Sequence, residues 1–165
     1  MRIILSKVLA IALLVTLIPL HSQEQPLPTS KQVSVALQRQ VLCLAKNIYY
    51  ESAMESYEGK LAVAQVTINR TNNSNYPSDF CSVVYQKTGS TCQFSWTCLK
   101  DLDIKNKYAW EECLMIAKMA LTDNSLHDEL ANSKALFYHA TYVHPGWTNT
   151  KVVMRIGNHI FYRKS

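Results

Sequence analysis

The chain has 165 residues, of which 48% are hydrophobic and 18% are charged. This length allows one compact domain plus a targeting segment, and the composition excludes a chain that is disordered throughout. The formal net charge of +5 suits an anionic partner such as a bacterial wall, a membrane surface or a nucleic acid, but it does not choose among them.

The first 22 residues have the order of an export signal. Arg2 and Lys7 flank an apolar run that continues to Leu20, and the chain then turns polar. A basic start, a short apolar core and a polar exit are typical of a secretory signal peptide. Segment 1–22 is therefore predicted to export the remainder of the chain, as a periplasmic or secreted protein.

The cleavage site of this signal is poor, because Leu20 and Ser22 would occupy the two positions that favour small residues. Residues 3–20 form an apolar run of about 18 residues, near the lower limit for a membrane span. An uncleaved signal anchor that tethers the protein to the inner membrane therefore remains an alternative. In either case the following residues 23–35, which contain two of the five prolines, are predicted to be a linker, and 36–165 a single domain.

The first helical pattern of the domain ends on an acid. Apolar residues recur at the spacing of one helix face, and the next position on that stripe is Glu51; they are Leu37, Val41, Leu44 and Ile48. A carboxylate on an apolar face costs free energy unless its pKa rises or a partner compensates it. Spacing alone thus marks Glu51 as a candidate catalytic acid. It also leaves open a solvent-facing Glu51 beyond the helix end, or an ion pair with Lys46 or Arg70.

Three further helices are expected downstream. Ser56 caps a helix that is apolar nearly all round and therefore central to a core. A short helix is expected over 80–86, and a third long helix is marked by Trp110, Leu114, Ala117 and Leu121.

The last forty residues change to a strand pattern. Segments 135–143 and 151–163 carry aromatic and β-branched residues, and Gly157-Asn158 is a two-residue hairpin signal. Helices followed by a small antiparallel sheet predict an α+β fold.

The chain has five cysteines, which in an exported protein are read first as disulfide partners with one left over. We expect Cys92 and Cys98 to close a short loop.

Several separated blocks resemble the SleB-type cell-wall hydrolases, the spore-cortex-lytic enzymes and their bacterial and phage relatives. The blocks are NIYYESAMESYEGKLAVAQVTINR at 47–70, CSVVY at 81–85, CQFSWTC at 92–98, FYHATYVHPGW at 137–147 and RIGNHIFYR at 155–163. The resemblance extends over about residues 42–163. The chain departs from the common pattern at Ser52, Ala53 and Met54, where Ala, Arg and Gly are frequent.

The resemblance implies a lysozyme-like helical core with a small β-region, and cleavage of the glycan strands of peptidoglycan. It implies that Glu51 is the catalytic residue, acting alone as acid and then base in a lytic transglycosylase. A hydrolytic muramidase or glucosaminidase remains the alternative if Glu55 or Glu58 is a second carboxylate. A zinc amidase built on His139, His144 and His159, and a non-catalytic wall-binding module, also remain open.

Sugar binding by stacking and hydrogen bonding is assigned, by the same resemblance, to the walls of a cleft beside Glu51. The candidate residues are Tyr50, Gln93, Phe94, Ser95, Tyr138 and His139. We expect peptidoglycan as partner, no nucleic acid, no metal or other cofactor, possible membrane anchoring through residues 3–20, and a monomer.

Overall fold

The structure, a computed structural model, describes residues 29–165. The predicted export signal at 1–22, its anchor segment at 3–20 and the start of the predicted linker lie outside the described residues. The helices are α1 (Ser30–Ser52), α2 (Tyr57–Thr71), α3 (Phe80–Val84), α4 (Lys107–Met119) and α5 (Asp128–Ser133), with a 3-10 helix at Ser95–Cys98. The strands are β1 (Lys87–Thr88), β2 (Thr91–Cys92), β3 (Phe137–Ala140), β4 (Thr150–Ile156) and β5 (His159–Lys164). The predicted α+β class is confirmed.

Helix α1 begins at Ser30, which lies inside the predicted linker at 23–35. The Thr29 hydroxyl accepts a hydrogen bond from the backbone N–H of Gln32, and the Gln32 side-chain oxygen accepts one from the Thr29 N–H. This capping box supports a helix from Ser30 onward, so residues 30–35 of the predicted linker are helical and exposed. The first turns of α1 are exposed, including Leu37, and the buried stripe begins at Val41.

The helical core forms between α1, α2 and α4. Its fully buried members include Leu44, Ile48, Ile68, Cys113 and Ile116. As predicted, α2 is buried along most of its length and is capped by Ser56, whose hydroxyl accepts from the Gly59 N–H at 3.2 Å. Helix α2 is therefore packed on both sides, against the other helices and against the sheet.

The main sheet is antiparallel with strand order β3-β5-β4. Gly157 and Asn158 form the turn between β4 and β5, as predicted, and Gly157 has a φ of +51°. Side chains of the sheet and of α5 pack on α2 in a second core centred on Phe161, Leu130 and Val66. Helix α5 was not predicted from the sequence.

Two disulfides join elements that border one end of the core. Cys92–Cys98 is present, as predicted, and Cys43–Cys81 connects α1 to α3. Cys113 is unpaired and buried, and burial raises the pKa of its thiol to about 12. Within residues 29–165, no helix has both the length and the apolar character needed to cross a bilayer.

Candidate active site

Glu51 lies in the last turn of α1, because the helix continues to Ser52. It therefore stays on the face that Leu44 and Ile48 bury, and the alternative of a solvent-facing Glu51 beyond the helix end is wrong. Desolvation by burial raises the pKa of Glu51, while a hydrogen bond from Tyr138 and the charge of Arg70 act in the opposite direction. Burial thus favours the neutral carboxyl group, while Tyr138 and Arg70 favour the carboxylate.

Tyr138 is the hydrogen-bond donor to this carboxyl. Its hydroxyl is 3.1 Å from Glu51 Oε2, and its ring packs against Phe161 and His159. Burial first, and then the nearby charge of Glu51, raise the pKa of Tyr138 well above its usual value. The phenol therefore remains protonated and donates to Oε2.

Arg70, on helix α2, is a buried cation near the Glu51 carboxyl group. The residue is 3% exposed. Its Nε donates to the Leu136 carbonyl at 2.9 Å, and its guanidinium lies 5.4 Å and 5.3 Å from the ring centroids of Tyr76 and Phe94. Nη1 is buried without a hydrogen-bond partner among the described residues.

Arg70 is not an ion-pair partner of Glu51. The ion pairs within 4.0 Å in the described part of the chain are Lys60–Glu112 and His127–Glu58. The predicted alternative of a buried ion pair between Glu51 and Arg70 or Lys46 is therefore wrong. Arg70 still interacts with Glu51 through its charge, because the low-dielectric surroundings of both groups screen that interaction weakly.

A cavity of about 310 Å³ opens beside Glu51, Arg70 and Tyr138. Its other lining residues are Cys92, Gln93, Phe94, Ser95, Phe137 and Trp147. Four of the predicted sugar-binding residues thus lie in one cavity with Glu51: Gln93, Phe94, Ser95 and Tyr138.

The wall that carries Gln93 to Ser95 is held from three sides. The Gln93 N–H donates to the Gln86 carbonyl at 2.9 Å, and the Cys92–Cys98 disulfide closes the loop around this segment. Behind it, the buried indole N–H of Trp96 donates to Asn47 Oδ1 at 3.1 Å. This wall is therefore fixed to both α1 and the β1–β2 hairpin.

Tyr50 and His139 do not line the cavity, contrary to the sequence prediction. Tyr50 is about 100° around the helix from Glu51, and it packs on Trp96 while its hydroxyl donates to the Leu102 carbonyl. His139 follows Tyr138 on a strand, where successive side chains point to opposite faces. Its Nε2 is 2.7 Å from the hydroxyl of Tyr162.

Four lining residues are not among the predicted site residues: Arg70, Cys92, Phe137 and Trp147. The sequence marks Arg70 only as a possible ion-pair partner, Cys92 as a disulfide partner and Phe137 as part of a strand. Trp147 is 43% exposed, and its position directly after Pro145-Gly146 is the sequence signal for it. The approach of Phe137 and Trp147 to Glu51 depends on the packing of β3 and its following loop, which no local pattern encodes.

The two acids considered as a second catalytic carboxylate, Glu55 and Glu58, have other partners. Glu55 accepts hydrogen bonds from the Asn158 backbone N–H at 3.2 Å and from Asn158 Nδ2 at 3.0 Å. Glu58 lies in the first turn of α2, with its side chain 66% exposed. Glu51 is therefore the one carboxyl group among the described residues that line the cavity.

No group of three or more metal-ligating side chains occurs within residues 29–165. The three histidines considered for a zinc amidase do not form such a group, since His139 is bonded to Tyr162 and His159 packs on Tyr138.

Comparison with known proteins gives a consistent result. A family model described as Cell Wall Hydrolase matches residues 54–162, beginning three residues after Glu51. A spore cortex-lytic enzyme of Oceanobacillus iheyensis is 26% identical over 125 residues, which is 75% of this chain. The chain spans 41% of the length of that relative.

The fold is also similar to a solved structure. The catalytic domain of the Bacillus cereus SleB protein superposes with a TM-score of 0.57 at 24% identity, over 76% of this chain and 91% of that one.

Proposed function

The chain belongs to the cell wall hydrolase family, and we propose that it is a lytic transglycosylase that cleaves the glycan strands of peptidoglycan. Glu51 is its catalytic acid and base. The observation that carries this proposal is that Glu51 is the one carboxyl among the described residues lining the cavity, where burial raises its pKa.

The reaction needs one group that first gives and then takes a proton. Neutral Glu51 donates its proton to the glycosidic oxygen as the bond between that oxygen and the anomeric carbon breaks. The resulting carboxylate then accepts the proton of the muramic C6 hydroxyl, while O6 forms a bond to the anomeric carbon. No water is consumed, and the product has a 1,6-anhydro end.

The surroundings of Glu51 suit both halves of this reaction. Burial favours the neutral acid that begins the reaction. Tyr138 and Arg70 favour the carboxylate that forms next, and they do so without an ion pair that would hold the group permanently ionised. Since Tyr138 donates to Oε2, the acidic proton belongs on Oε1, which has no hydrogen-bond partner in residues 29–165.

Hydrolysis by a carboxylate pair is supported less well. A retaining or inverting glycosidase commonly places two carboxyl groups on either side of the scissile bond. Glu55, the nearest acid in sequence after Glu51, uses both oxygens to bind Asn158. The single-acid mechanism needs no rearrangement of that contact.

The proposal is tested by incubating the purified protein with isolated sacculi and measuring soluble muropeptides. We expect Glu51→Gln to abolish release, because an amide can neither give nor take the proton. Glu58→Gln is the matched control, since it removes a mainly exposed acid from the neighbouring helix, and it should retain full release. Undiminished release by Glu51→Gln would refute the assignment of Glu51. Sacculus binding without any release would favour a wall-binding module.

A further inference from the structure

An aromatic cluster with no role in the proton transfer lies at the outer end of the cavity. It consists of Phe137, His139, Trp147 and Tyr162. Trp147 is its exposed member, while the other three are partly buried. A large exposed aromatic side chain beside a cavity is a feature of ligand sites more than of solvent-facing loops.

The cluster holds the Trp147 indole in a fixed orientation. The ring centroids of Phe137, His139 and Tyr162 each lie 5.6 Å from that of Trp147, and the last two meet it edge to face. His139 stacks on Tyr162 at 5.1 Å and is hydrogen-bonded to its hydroxyl. The backbone N–H of Trp147 donates to the Pro145 carbonyl at 2.8 Å. Trp147 is thereby supported from behind and from its own loop.

A second groove, of about 380 Å³, also borders this indole. Phe137 and Trp147 line both spaces. The groove is further lined by Thr148, Asn149, Thr150, Gly146 and Lys164. The groove is therefore lined by two aromatic residues together with residues that carry hydroxyl, amide and ammonium groups.

We infer that this groove is a second sugar subsite, in which a pyranose ring of the same glycan strand stacks on Trp147. This inference rests on the proposed function, because it takes the first sugar to lie beside Glu51. A pyranose has an apolar face of C–H groups and a polar edge of hydroxyls, which matches an indole bordered by hydroxyl and amide side chains. Because Phe137 and Trp147 line both spaces, one extended strand is favoured over two separate ligands.

The test measures binding of peptide-free peptidoglycan oligosaccharides in the Glu51→Gln background, so that the ligand is not consumed. A disaccharide and an octasaccharide are titrated by calorimetry. Trp147→Ala should weaken octasaccharide binding about tenfold, as for loss of an aromatic anchor that the ligand buries, and it should weaken disaccharide binding less. Tyr108→Ala is the matched control, because Tyr108 is 91% exposed on α4 away from the groove.

A second variant separates stacking from a folding defect. Trp147→Phe keeps an aromatic ring, so it should retain more octasaccharide affinity than Trp147→Ala. It should also lose the change in tryptophan fluorescence that the octasaccharide causes in the Glu51→Gln protein. Unchanged octasaccharide affinity in Trp147→Ala, while the otherwise unaltered protein still cleaves sacculi, would overturn the subsite and leave the proposed function intact. Failure of Glu51→Gln to bind these oligosaccharides, together with failure of the unaltered protein to cleave sacculi, would overturn both.

Discussion

Tyr138→Phe isolates the hydrogen bond to Glu51 with little change in packing. The phenylalanine ring can keep the contacts with Phe161 and His159, and the variant lacks only the hydroxyl that lies 3.1 Å from Oε2. A hydrogen bond to a charged group contributes about 1.5–3 kcal/mol. The lost stabilisation applies to the carboxylate and not to the neutral acid.

This difference sets both the rate and its pH dependence. If the carboxylate is fully formed in the slowest step, 1.5–3 kcal/mol corresponds to a loss of about 10- to 150-fold in rate. Tyr138 lowers the pKa of Glu51 in the folded protein, so removing its hydroxyl raises that pKa. Because Glu51 must be neutral to start the reaction, the alkaline limb of kcat/KM should move to higher pH.

The assay follows release of soluble muropeptides from labelled sacculi between pH 4 and pH 9, with Tm recorded for each variant. Tyr142→Phe is the control, since Tyr142 is exposed and follows β3; it should have the parent rate and the parent pH profile. A Tyr138→Phe protein with unchanged rate and an unmoved alkaline limb would refute the role of this hydrogen bond. A large loss of Tm would indicate a packing role instead.

Two further predictions concern stability. Burial raises the pKa of Glu51 above that of an exposed carboxyl group. Between the unfolded-state pKa and the raised folded-state pKa the folded state binds more protons than the unfolded state, so stability falls as pH rises through this window. Glu51→Gln should therefore increase Tm by roughly 3 °C at pH 8 and have little effect near pH 4; calorimetry giving a lower Tm at pH 8 would contradict this. Gly157 and Gly89 both have positive φ, but a Cβ at Gly157 would lie 2.0 Å from Glu55 Oε2, whereas one at Gly89 would meet nothing within 4 Å. In urea unfolding, the free energy of unfolding should fall by about 1 kcal/mol for Gly89→Ala and by about 3 kcal/mol for Gly157→Ala. In a protein that also carries Glu55→Ala, the two substitutions should cost similar amounts. Equal losses while Glu55 is present would refute the clash between a Cβ at position 157 and Glu55.

The parts of the fold that sequence predicts are those fixed by local chemistry. Ser56 marks the start of α2 because its hydroxyl caps the first turn, and Gly157-Asn158 marks the hairpin because the turn needs a positive φ. The apolar stripe from Val41 to Ile48 predicts the buried face of α1 and so the position of Glu51. Helix α5 has only six residues, too short for a periodic pattern to distinguish it from a loop.

The parts of the site that sequence misses depend on contacts between distant elements. In the sequence, Arg70 resembles any basic residue in the last turn of a helix. Only the packing of Tyr76 and Phe94 around it makes it a buried cation. The position of His139 likewise depends on its contacts with other elements. Its ring packs on Tyr162 and Trp147, and it does not line the cavity.

In the proposed reaction Glu51 transfers the proton and no water attacks the anomeric carbon. Mass spectrometry of muropeptides released in water labelled with heavy oxygen tests this directly. We predict 1,6-anhydro ends, about 18 mass units lighter than reducing ends, with no heavy oxygen in the product. Reducing ends that carry one heavy oxygen would refute the transglycosylase mechanism and establish hydrolysis.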